Sequence, residues 1–455
     1  MSSNGTVQDH STKQKVWIIL SLAIPAIIEN VLQTVVGFVD TLFVARLGLN
    51  EVTAVGIANT IIAVYIAIFM AIGVGTSSLI ARSVGSGDFA KAKSIAKQST
   101  WISIISGILF GIISYFFAEP LLKIMGADPQ VLKDGITYFR IVAVPSVFIS
   151  LMFIFGSILR AAGDTKTPMK VSVWINVIHI GLDYVLIFGI LNFSGLGVAG
   201  AAIATVIVRV LGTIALYRSI RKSKLSFSLF EYTFKDTQYI SPILNLSTPA
   251  AAERLIMRLG QVLYFGLIVR IGTETYAAHS IAGNIEMFSY MPGYGLAIAA
   301  TTLVGQSIGA NRHKEAYQYG LLTTWIGIII MSIGGLFLFF LSPWMATWFT
   351  NDKVAIDMVV TALRIDAFAQ PSLAVGLILA GALQGMGDTK SPMYSTAIGM
   401  WFIRVLGVYI LGIQLEMGIA GVWLSIAIDL IVRAIFLFFR FKNFFTKEKW
   451  NKQLL

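Results

Sequence analysis

Cysteine is missing altogether from the 455 residues, which excludes disulfides, thiolate metal sites and cysteine nucleophiles. Charge is scarce as well: Asp, Glu, Lys and Arg make up 13% of the chain, about half of the roughly 25% that a water-soluble domain carries. Histidine occurs only at His10, His179, His279 and His313, with no pair at a metal-ligand spacing and no nucleophile set beside a base. An enzyme is therefore not expected, nor a bound metal or organic cofactor. Apolar residues take the place of charge, at 56%, and glycine is abundant at 41 residues, as in membrane helices, where it permits close helix contact. The net charge of +11 would suggest nucleic acid in a soluble protein. Here its placement in loops carries a different meaning, and no nucleic-acid partner is expected.

After a polar tail, residues 1–15, the first apolar stretch runs from Val16 to Ala45. It is longer than the ~7–15-residue core of a signal peptide and lacks a small-residue cleavage site, so it is expected to remain as a first membrane helix. Apolar stretches of the about 20 residues needed to cross a bilayer follow near 53–80, 98–118, 135–158, 170–190, 196–217, 241–269, 276–308, 318–341, 355–383, 393–412 and 418–440. The chain thus reads as an all-α integral membrane protein with about twelve spans. With the loops numbered alternately, one side receives nearly all the loop lysines and arginines. The other receives only Arg46, Lys123, Lys133, Arg270 and Lys353. The positive-inside rule then places both termini in the cytoplasm, and a miscounted span would have scrambled that asymmetry.

The strongest signal is an internal repeat. Gly163-Asp164-Thr165-Lys166-Thr167-Pro168-Met169 recurs 224 residues on as Gly387-Asp388-Thr389-Lys390-Ser391-Pro392-Met393. The same register aligns Pro25, Ala26 and Glu29 with Pro249, Ala250 and Glu253, Arg46 with Arg270, Gly85 with Gly309, and Arg140 with Arg364. Six spans separate equivalent positions, so the halves are parallel rather than inverted, and parallel halves of this kind enclose a central cavity that opens to alternating sides. The expected organisation is an N-lobe over 16–221, a cytoplasmic linker over 222–238, a C-lobe over 239–440 and a cytoplasmic tail over 441–455.

A charged group inside a bilayer costs roughly 2.5–3.5 kcal/mol on insertion scales, so each needs a function or a partner. Glu29 and Asp40 stand close to three turns apart in the first span, with Gln33 and Gly37 on the face between them. Asn176, His179 and Asp183 stack on one stripe of the fifth span, the leading candidate for a binding site. Asp40 and Asp183, sharing a half-buried interior, would take up protons near neutrality. With amide and carbonyl oxygens the same pair could hold Na+ instead, or the two could be hydrogen-bonded glue between helices. His179 reads equally as a proton relay and as a neutral imidazole with one hydrogen bond. In the second half Asp40 falls on Tyr264 and Asp183 on Gly407, so the lobes are chemically specialised. The C-lobe has its own acids, Glu253 and Asp366, but also Arg254, Arg258 and Arg404, which leaves a cation site and a set of salt-bridged locks both open. Tyr65 and Phe69 in the second span, and Met287, Tyr290, Met291 and Tyr294 in the eighth, recur at helical spacing. They could line a cavity for flat cations or simply pack.

Several short segments together resemble the multidrug and toxic compound extrusion family, in particular its DinF-like branch. They are Ile24-Pro25-Ala26 and Val39-Asp40-Thr41 in the first span, Ala54-Val55-Gly56 entering the second, the duplicated Gly-Asp-Thr-Lys segments, and Gly181-Leu182-Asp183 followed by Gly197-Val198-Ala199-Gly200. The resemblance covers essentially the whole chain. It implies a monomeric antiporter of the bacterial cytoplasmic membrane that exports cationic or amphipathic drugs in exchange for H+ by rocking of two six-helix lobes. Under it Asp40 is the coupling residue, Asp183 belongs to the N-lobe site, and Glu253 with Asp366 would form a C-lobe cation site for Na+ coupling. The family often has Asn where this chain has His179, and Pro where it has Tyr184. A lipid-linked oligosaccharide flippase of the same superfamily is the alternative; it would want a cationic cavity, and it usually carries two further helices.

Overall fold

Polar residues at the span ends decide where each helix starts. Ser11 accepts a hydrogen bond from the Gln14 amide at 3.3 Å while Gln14 Oε1 accepts one from the Ser11 amide at 2.8 Å. This capping box starts the first helix at Thr12, four residues before the apolar run. The computed structural model describes residues 11–190, 193–228 and 237–451. Most of the 1–15 tail and half of the expected linker, residues 229–236, lie outside that range.

The helices are α1 (Thr12–Ala45), α2 (Leu49–Gly85), α3 (Phe89–Ile124), α4 (Pro129–Ala143), α5 (Ser146–Ala161), α6 (Lys166–Phe188), α7 (Val198–Arg221), α8 (Ile240–Ile271), α9 (Thr273–Gly309), α10 (His313–Ala346), α11 (Lys353–Met386), α12 (Lys390–Ala397) and α13 (Gly418–Asn451). One two-residue hairpin, Gly189–Ile190 with Phe193–Ser194, joins α6 to α7. The helices α4 and α5 form one span bent by 47°; Pro145 between them has no N–H to continue the ladder and restricts Val144 before it. The eleventh span continues from α12 as π-helical turns over Ile398–Val405 and Val408–Gln414. Helices α8 and α9 are long enough to cross a bilayer but carry Glu253, Arg254, Arg258, Glu274 and Glu286, which lowers their apolarity below that of the other spans. Together these make twelve crossings in two six-helix lobes. The last helix runs well past residue 440, where the apolar pattern stops, because backbone hydrogen bonding continues into the polar tail.

The duplicated motif has a structural cause. Gly163 and Gly387 end their helices in the left-handed region, at φ of 94° and 92°. The next residue then caps the following helix: Asp164 accepts from the Thr167 amide at 2.9 Å and Asp388 from the Ser391 amide at 3.0 Å.

Each lobe also lends the other the start of a helix. Ile19 of α1 packs among Leu296, Ala300 and Leu379 in the C-lobe, whereas Val44 at the far end of α1 packs in the N-lobe core. Ile243 of α8, the repeat partner of Ile19, packs into the N-lobe core, while Tyr264 and Ile268 pack in the C-lobe. Pro25 and Pro249 follow directly after these swapped segments. The stretches before Pro25 and before Pro249 thus pack with the lobe opposite to their own half of the chain, and α1 and α8 tie the lobes together.

Lipid tails are as apolar as leucine, so helices associate in a membrane through close packing and hydrogen bonds. At the end of the bundle where α2 and α9 finish, the lobes meet backbone to backbone. A Cβ on Gly85 would overlap the Gln306 carbonyl, and one on Gly309 would overlap the Arg82 carbonyl. These two clashes are repeat images of each other. Thr302 Oγ1 donates to the Arg160 carbonyl at 3.0 Å, Gln306 Nε2 to the Ala161 carbonyl at 3.0 Å, and Ser78 Oγ to the Gly385 carbonyl at 3.4 Å, so the crossing is also stitched by polar contacts.

Candidate functional site

Inside the N-lobe, α6 presents His179 and Asp183 one turn apart, and α1 brings Asp40 to the same point. His179 Nδ1 lies 3.8 Å from Asp40 Oδ2, and its Nε2 lies 3.5 Å from Asp183 Oδ2 and 3.4 Å from Thr205 Oγ1 of α7. One oxygen of each carboxyl group lies within 4.8 Å of the other. Ionised, both are acceptors only, so a bond between them needs a shared proton. Asp40 Oδ1 and both Asp183 oxygens are buried with no hydrogen-bond partner, and a proton shared between the two groups would satisfy them. The Asp183 side chain is 1% exposed and that of Asp40 31%, so Asp40 is the member turned towards open space. Gly37, one turn before it, has open space where a side chain would be, and Gln33 is exposed on the same helix.

One ligand atom from each of Asp40, His179 and Asp183 fits within a 4.8 Å span. No metal-ligand spacing marks this group in the sequence, because Asp40 arrives from a different helix. Asn176 stays apart from it: its Nδ2 donates to Ser172 Oγ along α6 at 3.3 Å. Glu29 is likewise occupied, paired with Arg160 of α5 at 3.2 Å. One charged neighbour lies outside the stripe that spacing picks out. Arg209 of α7 interacts electrostatically with Asp40 and His179, and the signal for it was a lone arginine inside an apolar span.

The C-lobe acids part company. Glu253 accepts from Thr396 Oγ1 at 3.1 Å and feels the charges of Arg254 and Arg433. Asp366 accepts from Gln370 Nε2 at 2.6 Å, and its acidic neighbour is Glu286 of α9. The expected Glu253 and Asp366 pair is therefore corrected to Asp366 with Glu286, because Glu253 lies among the groups of α12 and α13. Of the three arginines considered as locks, only Arg404 is one. It donates to Asp429 Oδ2 at 2.9 Å, and Arg433 donates to Asp429 Oδ1 at 2.6 Å, so one fully buried carboxylate holds two guanidinium groups. Arg404 also lies over the ring of Tyr264, the residue in the place of Asp40. Arg258 Nη1 reaches Gln261 Oε1 at 3.2 Å, and Arg254 Nη1 comes within 3.9 Å of Met70 Sδ in the opposite lobe.

The aromatic candidates divide as well. Tyr65 and Phe69 pack in the N-lobe core, with Tyr65 4.4 Å and Phe69 5.5 Å from the Phe110 ring and Ser114 Oγ bonded to the Tyr65 hydroxyl. They are packing residues, since α3 and α4 cover that face of α2. On α9, Met291 Sδ meets Thr34 Oγ1 of α1 at 3.7 Å, and the rings of Tyr290 and Tyr294 stand edge to face at 5.6 Å. Tyr294 is 43% exposed. Met287, one turn before Met291, is half-buried on the same helix.

A family model described as MatE matches the chain twice, over residues 25–185 and 249–410. The two matches begin one repeat apart. A relative from Thermotoga maritima, named "Probable multidrug resistance protein NorM", is 29% identical over 438 residues, covering 96% of this chain and 93% of its own. "Multidrug resistance protein PmpM" of Pseudomonas aeruginosa is 26% identical over 437 residues, covering 93% and 90%. A solved structure described as the outward-facing conformation of a multidrug resistance MATE family transporter of the MOP superfamily superposes with a TM-score of 0.88 at 25% identity, over 96% of this chain and 97% of that one. A MOP superfamily transporter from Pyrococcus furiosus matches equally, with a TM-score of 0.88 at 25% identity over 97% of both chains. With both halves matched and the twelve-helix fold shared along nearly its whole length, the chain belongs to the MatE family, a family of membrane transporters and not of enzymes.

Proposed function

We propose that the chain exports cationic and amphipathic organic compounds across a bacterial cytoplasmic membrane in exchange for protons, with both termini inside. The observation that carries this is His179 set between the carboxylates of Asp40 and Asp183. Hard cations such as Na+ prefer cages of oxygen ligands, whereas an imidazole flanked by two acids can accept, hold and pass a proton. Asp40 can meet either a proton or an organic cation, and the two then compete. Coupling follows if the proton-bound and drug-bound forms favour opposite-facing states, since only differential affinity moves such an equilibrium. The names of the curated relatives support a drug substrate, and the rings of α9 offer flat cations an edge-to-face aromatic wall.

A sodium-coupled reading would use the C-lobe, where Asp366 and Glu286 interact electrostatically. Arg404 stands beside both and weakens any cation there. The test is uptake of a fluorescent organic cation into proteoliposomes under a proton gradient or a sodium gradient imposed alone. Movement is expected with the proton gradient and not with sodium. Movement with sodium alone would shift coupling to the C-lobe, and none with either gradient would favour the flippase reading.

A further inference from the structure

Arg209 sits at the centre of α7, between Val208 and Val210. Thr205, one turn earlier, touches His179 Nε2 at 3.4 Å, so this face of α7 is turned towards the group formed by Asp40, His179 and Asp183. The charge of Arg209 acts on Asp40, on His179 and on Tyr138 of α4, whose hydroxyl lies 3.4 Å from Asn59 Oδ1. Arg209 Nη1 is buried and has no hydrogen-bond partner. None of the ion pairs among the described residues includes Arg209. Arg404 in the C-lobe contrasts with it, being fastened to Asp429.

A guanidinium in the middle of a membrane is expensive unless something offsets it. Here the offset is the field of the Asp40 carboxylate rather than a direct ion pair. A guanidinium does not deprotonate in proteins, so it is a permanent resident positive charge. Around it lie two acids and an imidazole, and a metal cation entering among them would meet a like charge already in place. At an effective dielectric of about 20 and separations of roughly 6–12 Å, such repulsion weakens binding on the order of tenfold to a hundredfold.

We propose that Arg209 sets the ion specificity of the N-lobe: it is a tethered cation that takes the charge a bound Na+ would bring, and so keeps sodium out of the Asp40, His179 and Asp183 group. This rests on the proton-coupled reading of that site, and it identifies which residue bars the alternative. The role differs from that of His179. Histidine removes an oxygen ligand, whereas Arg209 removes the charge vacancy that Na+ would fill.

The experiment is equilibrium binding of radioactive sodium to the purified full-length protein, kept separate from any transport assay. Wild type and Arg209→Lys are expected to show no sodium binding that depends on Asp183. Arg209→Gln is expected to gain saturable binding at least about tenfold tighter than any in the wild type, and Asp183→Asn in that background is expected to remove it. Arg209→Met preserves the apolar stem and serves as the second neutral variant should glutamine impair folding; a cooperative thermal unfolding transition confirms that each variant is folded. Folded neutral variants that gain no sodium binding overturn the proposal, as does a wild type that already binds sodium through Asp183. Failure of the proton-coupled reading would show separately, as wild-type drug movement that ignores a proton gradient.

Discussion

Replacing Asp40 with asparagine is expected to lower proton-driven efflux of an organic cation at least about tenfold while leaving the protein folded. Asparagine has the shape of a protonated aspartate but can neither release a proton nor offer a charge to a cation. The N-lobe is then held in an analogue of its proton-bound form, and the differential binding that couples the two fluxes disappears. Little stability should be lost, because Asp40 makes no hydrogen bond beyond its approaches to Asp183 and His179, and its side chain is 31% exposed. The checks are the initial rate in proteoliposomes under a proton gradient and the thermal unfolding of the same preparation. Full efflux by Asp40→Asn would remove the N-lobe carboxylate from coupling.

The second large effect is conformational. Gly85→Ala or Gly309→Ala places a Cβ on a backbone carbonyl of the opposite lobe, and neither carbonyl can give way without moving its helix. Overpacking of this kind costs about 1–3 kcal/mol. The cost falls only on the state in which the lobes touch at this end, so the balance shifts towards the opposite-facing state by about 5–150-fold. Transport, which needs both states, slows accordingly. The absence of native cysteine makes the shift directly readable. A single Gly37→Cys substitution, on the open face of α1, reports which side of the membrane reaches the cavity. With both termini inside, as proposed above, the glycine crossing lies on the cytoplasmic side, so in inverted vesicles an impermeant maleimide should label the introduced thiol faster in the glycine variants than in the parent. Equal labelling would mean that the crossing is not the gate.

Much of the fold was legible because membranes impose coarse constraints. Apolar stretches near 20 residues, loop cations on one side and the 224-residue repeat lead to twelve parallel-halved spans. What they did not reveal was the exchange of helix starts. Ile19 and Ile243 look like ordinary apolar residues of their own lobes, and only tertiary packing places each in the other. The bend at Pro145 was written in the residue itself, whereas no proline or other breaker marks the π-helical turns of the eleventh span.

The site was legible in part, for a related reason. His179 and Asp183 share a helix face by their spacing, so their meeting follows from local geometry. Asp40 was joined to Asp183 as a carboxylate buried in an apolar span, by its charge and not by spacing. Asn176 shared the stripe, yet it turned to Ser172 on its own helix. Arg209, Glu286, Asp429 and Arg433 are each a charge inside an apolar span, so the rule that picked out Asp40 applied to them as well. Asp429 and Arg433 pair at i, i+4 on α13, as their spacing allows. The other partners come from other helices, where no spacing encodes them, which is why Asp366 interacts with Glu286 and why Arg404 joins the Asp429 pair.

The central claim is that a drug cation and a proton exchange at one N-lobe group. It is tested most directly by adding a saturating organic cation to weakly buffered purified protein and following the pH. The account predicts protons released on drug binding by the wild type, and none by Asp40→Asn. Drug binding by the wild type without proton release would contradict it.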